Sequence, residues 1–392
     1  MLNCGARQTQ GFCAPLNCGS FEAGAERGAN GRTSDSTSDA AARMRSSSAM
    51  LLLVAKTSAY SLGSAFRAAP LRTTRAAAFS MSDTEFDSVK PATVVMFPGQ
   101  GAQVVGMGAA AASELPAAAE LYAKAKDILG YDLLAIDDKA QLDKTDVSQP
   151  AIFVASMAAV EKLRAEDPAA LEAANMAMGL SLGEYTALAF AGAISFEDGV
   201  KITKARGEAM QAASEASSSG MASVIGLDKE KVAELCAAAA EATGKPIGIA
   251  NFLCPGNYAV SGAMEAVEKV MEIAKPDFGA RMAVKLAVAG AFHTDFMAPA
   301  VGTLSEVLAT VEVSKPRIPV VSNVDAKAHS DPAVIKDILT KQVTAPVQWE
   351  TIMKDLVAAG YDAGYELGPG KVLAGIMKRV DKKAPAIVNV EV

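Results

Sequence analysis

The sequence contains few of the residues that build metal centres, redox motifs or disulfide scaffolds. Its 392 residues include five cysteines, two histidines and one tryptophan. Three cysteines lie within the first 18 residues, whereas Cys236 and Cys254 lie far along the chain with no C-x-x-C spacing. This distribution excludes a disulfide framework, and we expect no bound metal ion.

Long apolar runs and a broad positive charge are also missing. No stretch reaches the roughly 18 consecutive apolar residues that a membrane helix requires, so we expect a soluble protein with no membrane partner. Residues 1–82 hold nine Lys and Arg against four Asp and Glu, and residues 83–392 hold 28 against 40, which gives net charges of +5 and −12. The acidic body predicts no nucleic-acid partner.

The first 90 residues have the composition of an organelle leader. No acidic residue occurs between Ala40 and Ser82, where six basic residues lie among Ser, Ala and Thr, and this composition is typical of transit peptides. An apolar run from Met50, followed by Phe66, resembles the two-part leader of plastids with extra membranes. We therefore expect residues 1–90 to be a cleaved, disordered leader for the plastid stroma, with a mitochondrial leader or a later start codon as alternatives.

The remaining residues alternate short β-branched runs with longer Ala-rich helical patterns, which predicts an α/β fold around a parallel sheet. Between residues 217 and 289 the pattern changes to the order β-α-β-β-α-β of a ferredoxin-like unit, whose last strand is predicted at Arg281–Val288. We expect an α/β-hydrolase-like domain formed by residues 91–216 and 290–392, with the ferredoxin-like subdomain inserted at 217–289. The cleft between the two is the expected functional site.

The segment Gly179–Gly183 fits the pattern G-x-S-x-G and has an apolar strand-like run before it and a helix-forming run after it. This context indicates a nucleophile elbow, where glycines permit a sharp turn and the following helix N-terminus favours developing negative charge. Ser181 is the predicted nucleophile, and it needs a base. His293 follows the last predicted strand of the subdomain beside the cleft, whereas His329 has the surroundings of a solvated loop residue, so His293 is favoured.

Seven motifs in chain order resemble those of the malonyl-CoA:acyl carrier protein transacylase family. They are FPGQGAQ at 97–103, GLSLGEY at 179–185, KARG at 204–207, GAFH at 290–293, SNV at 322–324, PVQW at 346–349 and GPGKVL at 368–373. The resemblance covers residues 94–379. It implies transfer of a malonyl group from malonyl-CoA to the phosphopantetheine thiol of acyl carrier protein, through a malonyl-serine ester, in fatty acid synthesis. It implies no cofactor beyond the CoA thioester substrate, and we expect a monomer.

The resemblance also implies roles for single residues. His293 would deprotonate Ser181, and the backbone N–H groups of Gln100 and Leu182 would hold the oxyanion. Arg206 would pair with the malonyl carboxylate; without the resemblance it reads as an exposed helix arginine. Further expected positions are Gln348, whose main-chain carbonyl would orient the histidine, and Phe292 and Asn323 as substrate-binding residues; Phe292 resembles the pattern of malonyl-selective acyltransferases. Leu180 stands where many bacterial relatives have His.

A basic cluster near the C-terminus is the expected docking face for the carrier. Acyl carrier proteins are acidic and so is this body, so association requires a local positive patch. The candidates are Lys371, Lys378, Arg379, Lys382 and Lys383.

Two other functions remain open on the sequence. One is a serine carboxylesterase or thioesterase of α/β-hydrolase type, although no HGGG-type oxyanion motif is present and Arg206 suits an apolar acyl chain poorly. The other is a non-catalytic relative that binds the carrier protein. Formation of an acyl-enzyme separates them.

Overall fold

Two β-sheets organise residues 85–392, the part of the chain that the computed structural model describes. In chain order the strands are β1 (Thr93–Phe97), β2 (Ala174–Gly179), β3 (Ser219–Ile225), β4 (Ile247–Cys254), β5 (Asn257–Ala263), β6 (Met282–Lys285), β7 (Val320–Val321), β8 (Ala363–Leu367) and β9 (Ile387–Val390).

The helices surround these strands. They are α1 (Ala109–Glu114), α2 (Pro116–Leu129), α3 (Lys139–Leu142), α4 (Thr145–Glu166), α5 (Pro168–Glu172), α6 (Leu182–Phe190), α7 (Phe196–Glu215), α8 (Lys229–Thr243), α9 (Met264–Ile273), α10 (Ala298–Thr310), α11 (Pro332–Gln342), α12 (Trp349–Ala359) and α13 (Val372–Val380), with short 3-10 turns at Leu133–Ala135 and Asp295–Met297.

The larger sheet has the strand order β7-β2-β1-β8-β9, and every pairing within it is parallel. Parallel strands covered by helices on both faces read as continuous apolar runs, and the buried sequence of β1, TVVMF, has that form. The predicted α/β class with a parallel sheet is therefore confirmed. The carboxyl ends of β1 and β2 lie next to each other, with Phe97 paired to Gly179, and this is the edge where the site forms.

The smaller sheet is antiparallel, with the order β4-β5-β3-β6 and the helices α8 and α9 as its connections. Its last strand is shorter than the sequence pattern predicts, because β6 covers only Met282–Lys285 within the predicted strand Arg281–Val288. The Leu286 N–H still donates to the Met221 carbonyl at 2.9 Å, and the chain bends at Ala287. The chain then returns to the larger sheet through Gly290–His293.

The edge strand β4 is joined by backbone hydrogen bonds to the segment that precedes α12. The Val347 N–H donates to the Ala250 carbonyl at 2.8 Å, and the Phe252 N–H donates to the Val347 carbonyl at 3.0 Å. These bonds fix the distance between the two sheets, and the space that remains between them is the main cleft.

Residues 85–90 belong to the folded body rather than to the predicted leader. The Lys90 carbonyl accepts a hydrogen bond from Asn175 Nδ2 at 2.8 Å, and Phe86 and Val89 line a cavity of about 230 Å³ beside the larger sheet. The prediction of a disordered leader is thus wrong for these few residues. Its main part, residues 1–84, lies outside the described residues.

Candidate active site

A cavity of about 420 Å³ lies between the two sheets. The larger unit contributes the loop 99–102, the elbow at Leu180 and Ser181, and residues of α7 and α13, while the smaller sheet contributes Met221, Asn251 and Ala259. The predicted site residues that line this one cavity are Gln100, Ser181, Arg206, Phe292, His293 and Arg379.

Ser181 sits on a strained turn between β2 and α6. Its φ of 52° lies in the left-handed region, which a side chain adopts only when the surroundings hold it there. The turn is tight because a Cβ on Gly179 would lie 2.0 Å from the Gly183 carbonyl carbon and oxygen. The predicted elbow geometry is present, with the hydroxyl at the N-terminus of α6.

His293 is positioned to deprotonate Ser181. Its Nε2 lies 2.8 Å from Ser181 Oγ, and its Nδ1 lies 2.8 Å from the Gln342 carbonyl oxygen. A carbonyl only accepts, so the proton resides on Nδ1 and leaves the Nε2 lone pair for the serine proton. Burial, followed by the charge of Arg206, lowers the pKa of His293 to about 4. The imidazole is therefore a neutral base at physiological pH.

The prediction that Gln348 orients the histidine is wrong. The Gln348 carbonyl accepts the Ile352 N–H at the start of α12 and is not directed to the imidazole. Gln342 takes the role because it is the last residue of α11, where helix carbonyls have no intrahelical donor and are free to accept other hydrogen bonds.

Arg206 is buried, not exposed as its helical position alone suggested. It is 2% exposed, and its guanidinium donates to Gln149 Oε1 at 2.7 Å, Gln342 Oε1 at 2.9 Å and Ser181 Oγ at 3.1 Å. It also lies over the Tyr185 ring. Burial lowers the pKa of Arg206 from its usual value. Among the described residues no carboxylate forms an ion pair with it.

The backbone N–H groups that the resemblance implies as oxyanion donors belong to Gln100, on the loop that lines the cavity, and to Leu182, at the start of α6. The N–H groups of Gln100 and Leu182 have no hydrogen-bond acceptor among the residues that the structure describes. Gly99 packs so closely that an added Cβ would lie 2.4 Å from the Leu180 carbonyl oxygen, which brings the loop against the elbow. The Gly101 N–H donates to Gln103 Oε1 at 2.7 Å and holds the loop in place.

Asn323 has a different role from the one predicted. It is fully buried and does not line the cavity, so it is not placed to bind substrate. Its Oδ1 accepts the Ser181 N–H at 2.6 Å, and its Nδ2 donates to the Gly179 carbonyl at 2.7 Å. The amide is thus used on both ends to hold the nucleophile's backbone. Phe292, by contrast, lines the cavity next to His293.

The basic residues near the C-terminus divide into two groups. Arg379 lines the cavity from α13, and Lys378 is exposed beside it. Lys371 pairs with Glu391 at 3.4 Å, and both side chains are exposed. Lys382 and Lys383 are exposed after the helix. Only Arg379 reaches the cavity itself.

The other histidine was assigned wrongly. His329 is 5% exposed rather than solvated, and its Nε2 lies 3.0 Å from Asp325 Oδ2. Pairing of Ala328 with Val321 turns this segment inward against the larger sheet. His329 does not line the main cavity, so His293 is the histidine at the nucleophile.

Three polar residues at the site were not found by sequence reasoning: Gln149, Glu184 and Gln342. Each is buried, and each contacts a predicted site residue or its partner. A buried polar side chain in an apolar helix is the available signal, as for Gln149 in α4, but the partners lie up to 161 residues away. In residues 85–392 no cluster of His, Cys, Asp or Glu suits a metal ion, and no helix has the length and apolarity to span a bilayer.

Comparison with known proteins agrees with this geometry. The model of the acyl transferase domain family matches residues 94–391. A human protein described as a mitochondrial malonyl-CoA-acyl carrier protein transacylase is 42% identical over 306 residues, which cover 74% of this chain and 78% of that protein. The chain belongs to the acyl transferase family.

Solved structures extend the likeness of this acyl transferase to its fold. An acyl carrier protein S-malonyltransferase from Vibrio cholerae has a TM-score of 0.71 at 38% identity, covering 76% of this chain and 96% of that one. A malonyl-transacylase in complex with a type II polyketide synthase acyl-carrier protein has a TM-score of 0.70 at 34% identity, covering 76% and 94%. The prediction of an acyltransferase is confirmed.

Proposed function

We propose that this acyl transferase moves a malonyl group from malonyl-CoA to the thiol of an acyl carrier protein and so supplies fatty acid synthesis. The observation that carries the proposal is the buried Arg206 beside Ser181 Oγ. A guanidinium has five N–H donors, and three hydrogen bonds are formed, with Nε among the donors left over. A cation held without an ionic partner favours an acyl group that ends in a carboxylate.

The first half-reaction forms an ester. His293 Nε2 takes the Ser181 proton while Oγ attacks the thioester carbonyl carbon, and the N–H groups of Gln100 and Leu182 stabilise the resulting oxyanion. The C–S bond then breaks, and His293 returns the proton to the CoA thiolate.

The second half-reaction runs the same steps in reverse with a different thiol. His293 deprotonates the phosphopantetheine thiol, the sulfur attacks the malonyl-serine carbonyl, the C–O bond to Ser181 breaks, and the proton returns to Ser181 Oγ. Relatives of this chain are named for malonyl-CoA and acyl carrier protein, and one of the structures holds a carrier protein. We place the carrier at the mouth of the cavity, near Lys378 and Arg379, where the positive charge lies.

Mass spectrometry after brief exposure to malonyl-CoA tests the proposal. We expect one malonyl adduct, on Ser181, that disappears in Ser181→Ala and forms slowly in His293→Ala; addition of the carrier thiol should discharge it. Hydrolysis of the thioester without transfer to the carrier would favour a thioesterase. Carrier binding with neither adduct nor turnover would favour a non-catalytic relative.

We also propose that the leader delivers the enzyme to the plastid stroma, as a monomer. The support is the basic, acid-free composition of residues 40–82 and the apolar run before Phe66. The mitochondrion is the alternative, and the human and mouse relatives carry that word in their names. A fluorescent protein fused after residue 90 should enter plastids. Its import into mitochondria would favour the mitochondrial leader instead.

A further inference from the structure

A buried carboxyl group in the helix that follows the nucleophile takes no part in the chemistry proposed above. Glu184 is three residues after Ser181, in the first turn of α6, and is 3% exposed. One of its oxygens, Oε2, accepts hydrogen bonds from Gln342 Nε2 at 2.6 Å and from the Asn323 N–H at 3.0 Å. It does not line the cavity, so it acts on substrate only through these partners.

Gln342 connects this carboxylate to three functional residues of the site. Its Oε1 accepts from Arg206 Nη2 at 2.9 Å, its Nε2 also donates to the Ser181 carbonyl at 3.0 Å, and its own carbonyl receives His293 Nδ1. The side-chain contact with Arg206 is separate from the main-chain contact with His293. A change of the side chain therefore affects the first and leaves the second available.

Glu184 decides which way the Gln342 amide faces. An amide has a donor end and an acceptor end, and a reversed Gln342 would place its oxygen against Glu184 Oε2 and its NH₂ against the Arg206 guanidinium. Both reversed contacts are repulsive. The observed orientation is the one in which the acceptor faces Arg206, and the carboxyl oxygen at 2.6 Å enforces it.

We propose that Glu184 is a positioning residue which, through the Gln342 amide, holds Arg206 in place for an acyl carboxylate and so contributes to the preference for malonyl over uncharged acyl groups. This inference rests on the proposed function, because it concerns the group that recognises the malonyl carboxylate. It attributes the effect on acyl preference to the position of the Glu184 oxygen that binds Gln342, not to the charge of Glu184.

Two conservative substitutions separate the position of this oxygen from the charge of the side chain. Glu184→Gln keeps an oxygen at the same distance and removes the charge, whereas Glu184→Asp keeps the charge and withdraws the oxygen by one methylene. Burial raises the pKa of Glu184 to about 7, so a neutral side chain suits this position. Glu350→Asp is the matched control, because Glu350 is also buried in the first turn of a helix and lies outside the cavity.

The measurement is kcat/KM for acyl-enzyme formation with malonyl-CoA and with acetyl-CoA. For Glu184→Asp we expect the malonyl-to-acetyl ratio to fall about ten-fold or more, mainly through the malonyl KM. Glu184→Gln and Glu350→Asp should stay within about three-fold of the wild-type ratio. An equal fall in Glu184→Gln and Glu184→Asp would overturn the inference, as would a wild-type ratio in Glu184→Asp.

A double-mutant cycle with Gln342→Met tests whether Glu184 acts on Arg206 through the Gln342 side chain. Methionine keeps the length and the main-chain carbonyl for His293 but cannot bind Glu184 or Arg206. We expect Gln342→Met to lower the ratio by itself and to remove any further effect of Glu184→Asp on it. An undiminished effect of Glu184→Asp in that background refutes the route through Gln342.

Two further outcomes remain interpretable. If Glu184→Asp does not fold, Gln342→Met alone carries the test, and an unchanged ratio in it overturns the inference. Failure of the proposed function looks different, since wild-type protein would then form no malonyl adduct at all.

Discussion

Arg206→Ala tests the central claim that a buried cation selects the acyl group. The guanidinium can direct two charge-assisted hydrogen bonds at a malonyl carboxylate, each worth about 1.5 to 3 kcal/mol. Their loss should cost malonyl transfer about 2 to 5 kcal/mol, which is roughly 30-fold to several thousand-fold in kcat/KM. Gln149 and Gln342 already align the guanidinium, so little ordering offsets this gain.

Acetyl transfer provides the internal reference. An acetyl group offers no acceptor to the guanidinium and must sit beside a buried cation that lacks an ionic partner among the described residues. Arg206→Ala should therefore lower kcat/KM for acetyl-CoA far less, or raise it. Steady-state rates with both thioesters give the comparison.

A matched control comes from the same helix. Lys201 in α7 is exposed and pairs with Asp198, so Lys201→Ala removes a cation from α7 without touching the cavity and should leave both rates unchanged. If Arg206→Ala lowered kcat/KM by the same factor for malonyl-CoA and for acetyl-CoA, Arg206 would be a structural residue and the argument for carboxylate recognition would fail.

Three other predictions follow from particular groups. Burial and Arg206 depress the pKa of His293 to about 4, and the neutral imidazole is the base. The acylation rate should therefore persist as the pH falls through 6.5 and decline only towards pH 4. Rapid-quench rates that already decline near pH 6.5 would contradict this. Reversal of Lys378 and Arg379 to Glu should raise the KM for carrier and leave acylation by malonyl-CoA unchanged, whereas equal damage to both half-reactions would indicate misfolding. Glu366→Ala removes a buried carboxyl group that accepts hydrogen bonds from the Leu373 and Ala374 N–H groups at the start of α13. Urea unfolding should show that the free energy of unfolding falls by about 3 kcal/mol. A fall below about 1 kcal/mol would show that water satisfies these donors.

The parts of the site set by local backbone were accessible from the sequence. The pattern Gly179–Gly183 predicts the elbow because a close turn tolerates few other residues, and the structure shows the Cβ clash that requires glycine. The β-branched run of β1 predicts a strand of the parallel sheet, and the structure shows that this strand is the central one. The sequence favours His293 because it follows the last predicted strand of the subdomain, although the contrast with a solvated His329 is wrong.

The parts set by distant contacts were not accessible. Arg206 reads as an exposed helix residue until α4 and α11 bring Gln149 and Gln342 against it from 57 and 136 residues away. The motif at 346–349 does not reveal which main-chain carbonyl faces the imidazole, because that depends on where α11 ends and leaves the Gln342 carbonyl free. Asn323 was assigned to substrate because a polar residue in a matching motif does not reveal whether it faces the cavity or the backbone behind it.

The same features that make the site reactive also cost stability, and buried amides hold them in place. Ser181 and His293 both adopt left-handed backbone conformations, with φ of 52° and 60°, which side chains avoid unless neighbouring contacts enforce them. The Ser181 turn is held by Asn323 and Gln342 at the nucleophile's N–H and carbonyl, and the His293 N–H is held by the Val343 carbonyl at 3.1 Å. A buried Arg206 adds a desolvation cost, and no carboxylate of the described chain forms an ion pair with it. An incoming acyl carboxylate would supply that missing partner, so the unfavourable charge in the free protein becomes the source of preference in the complex.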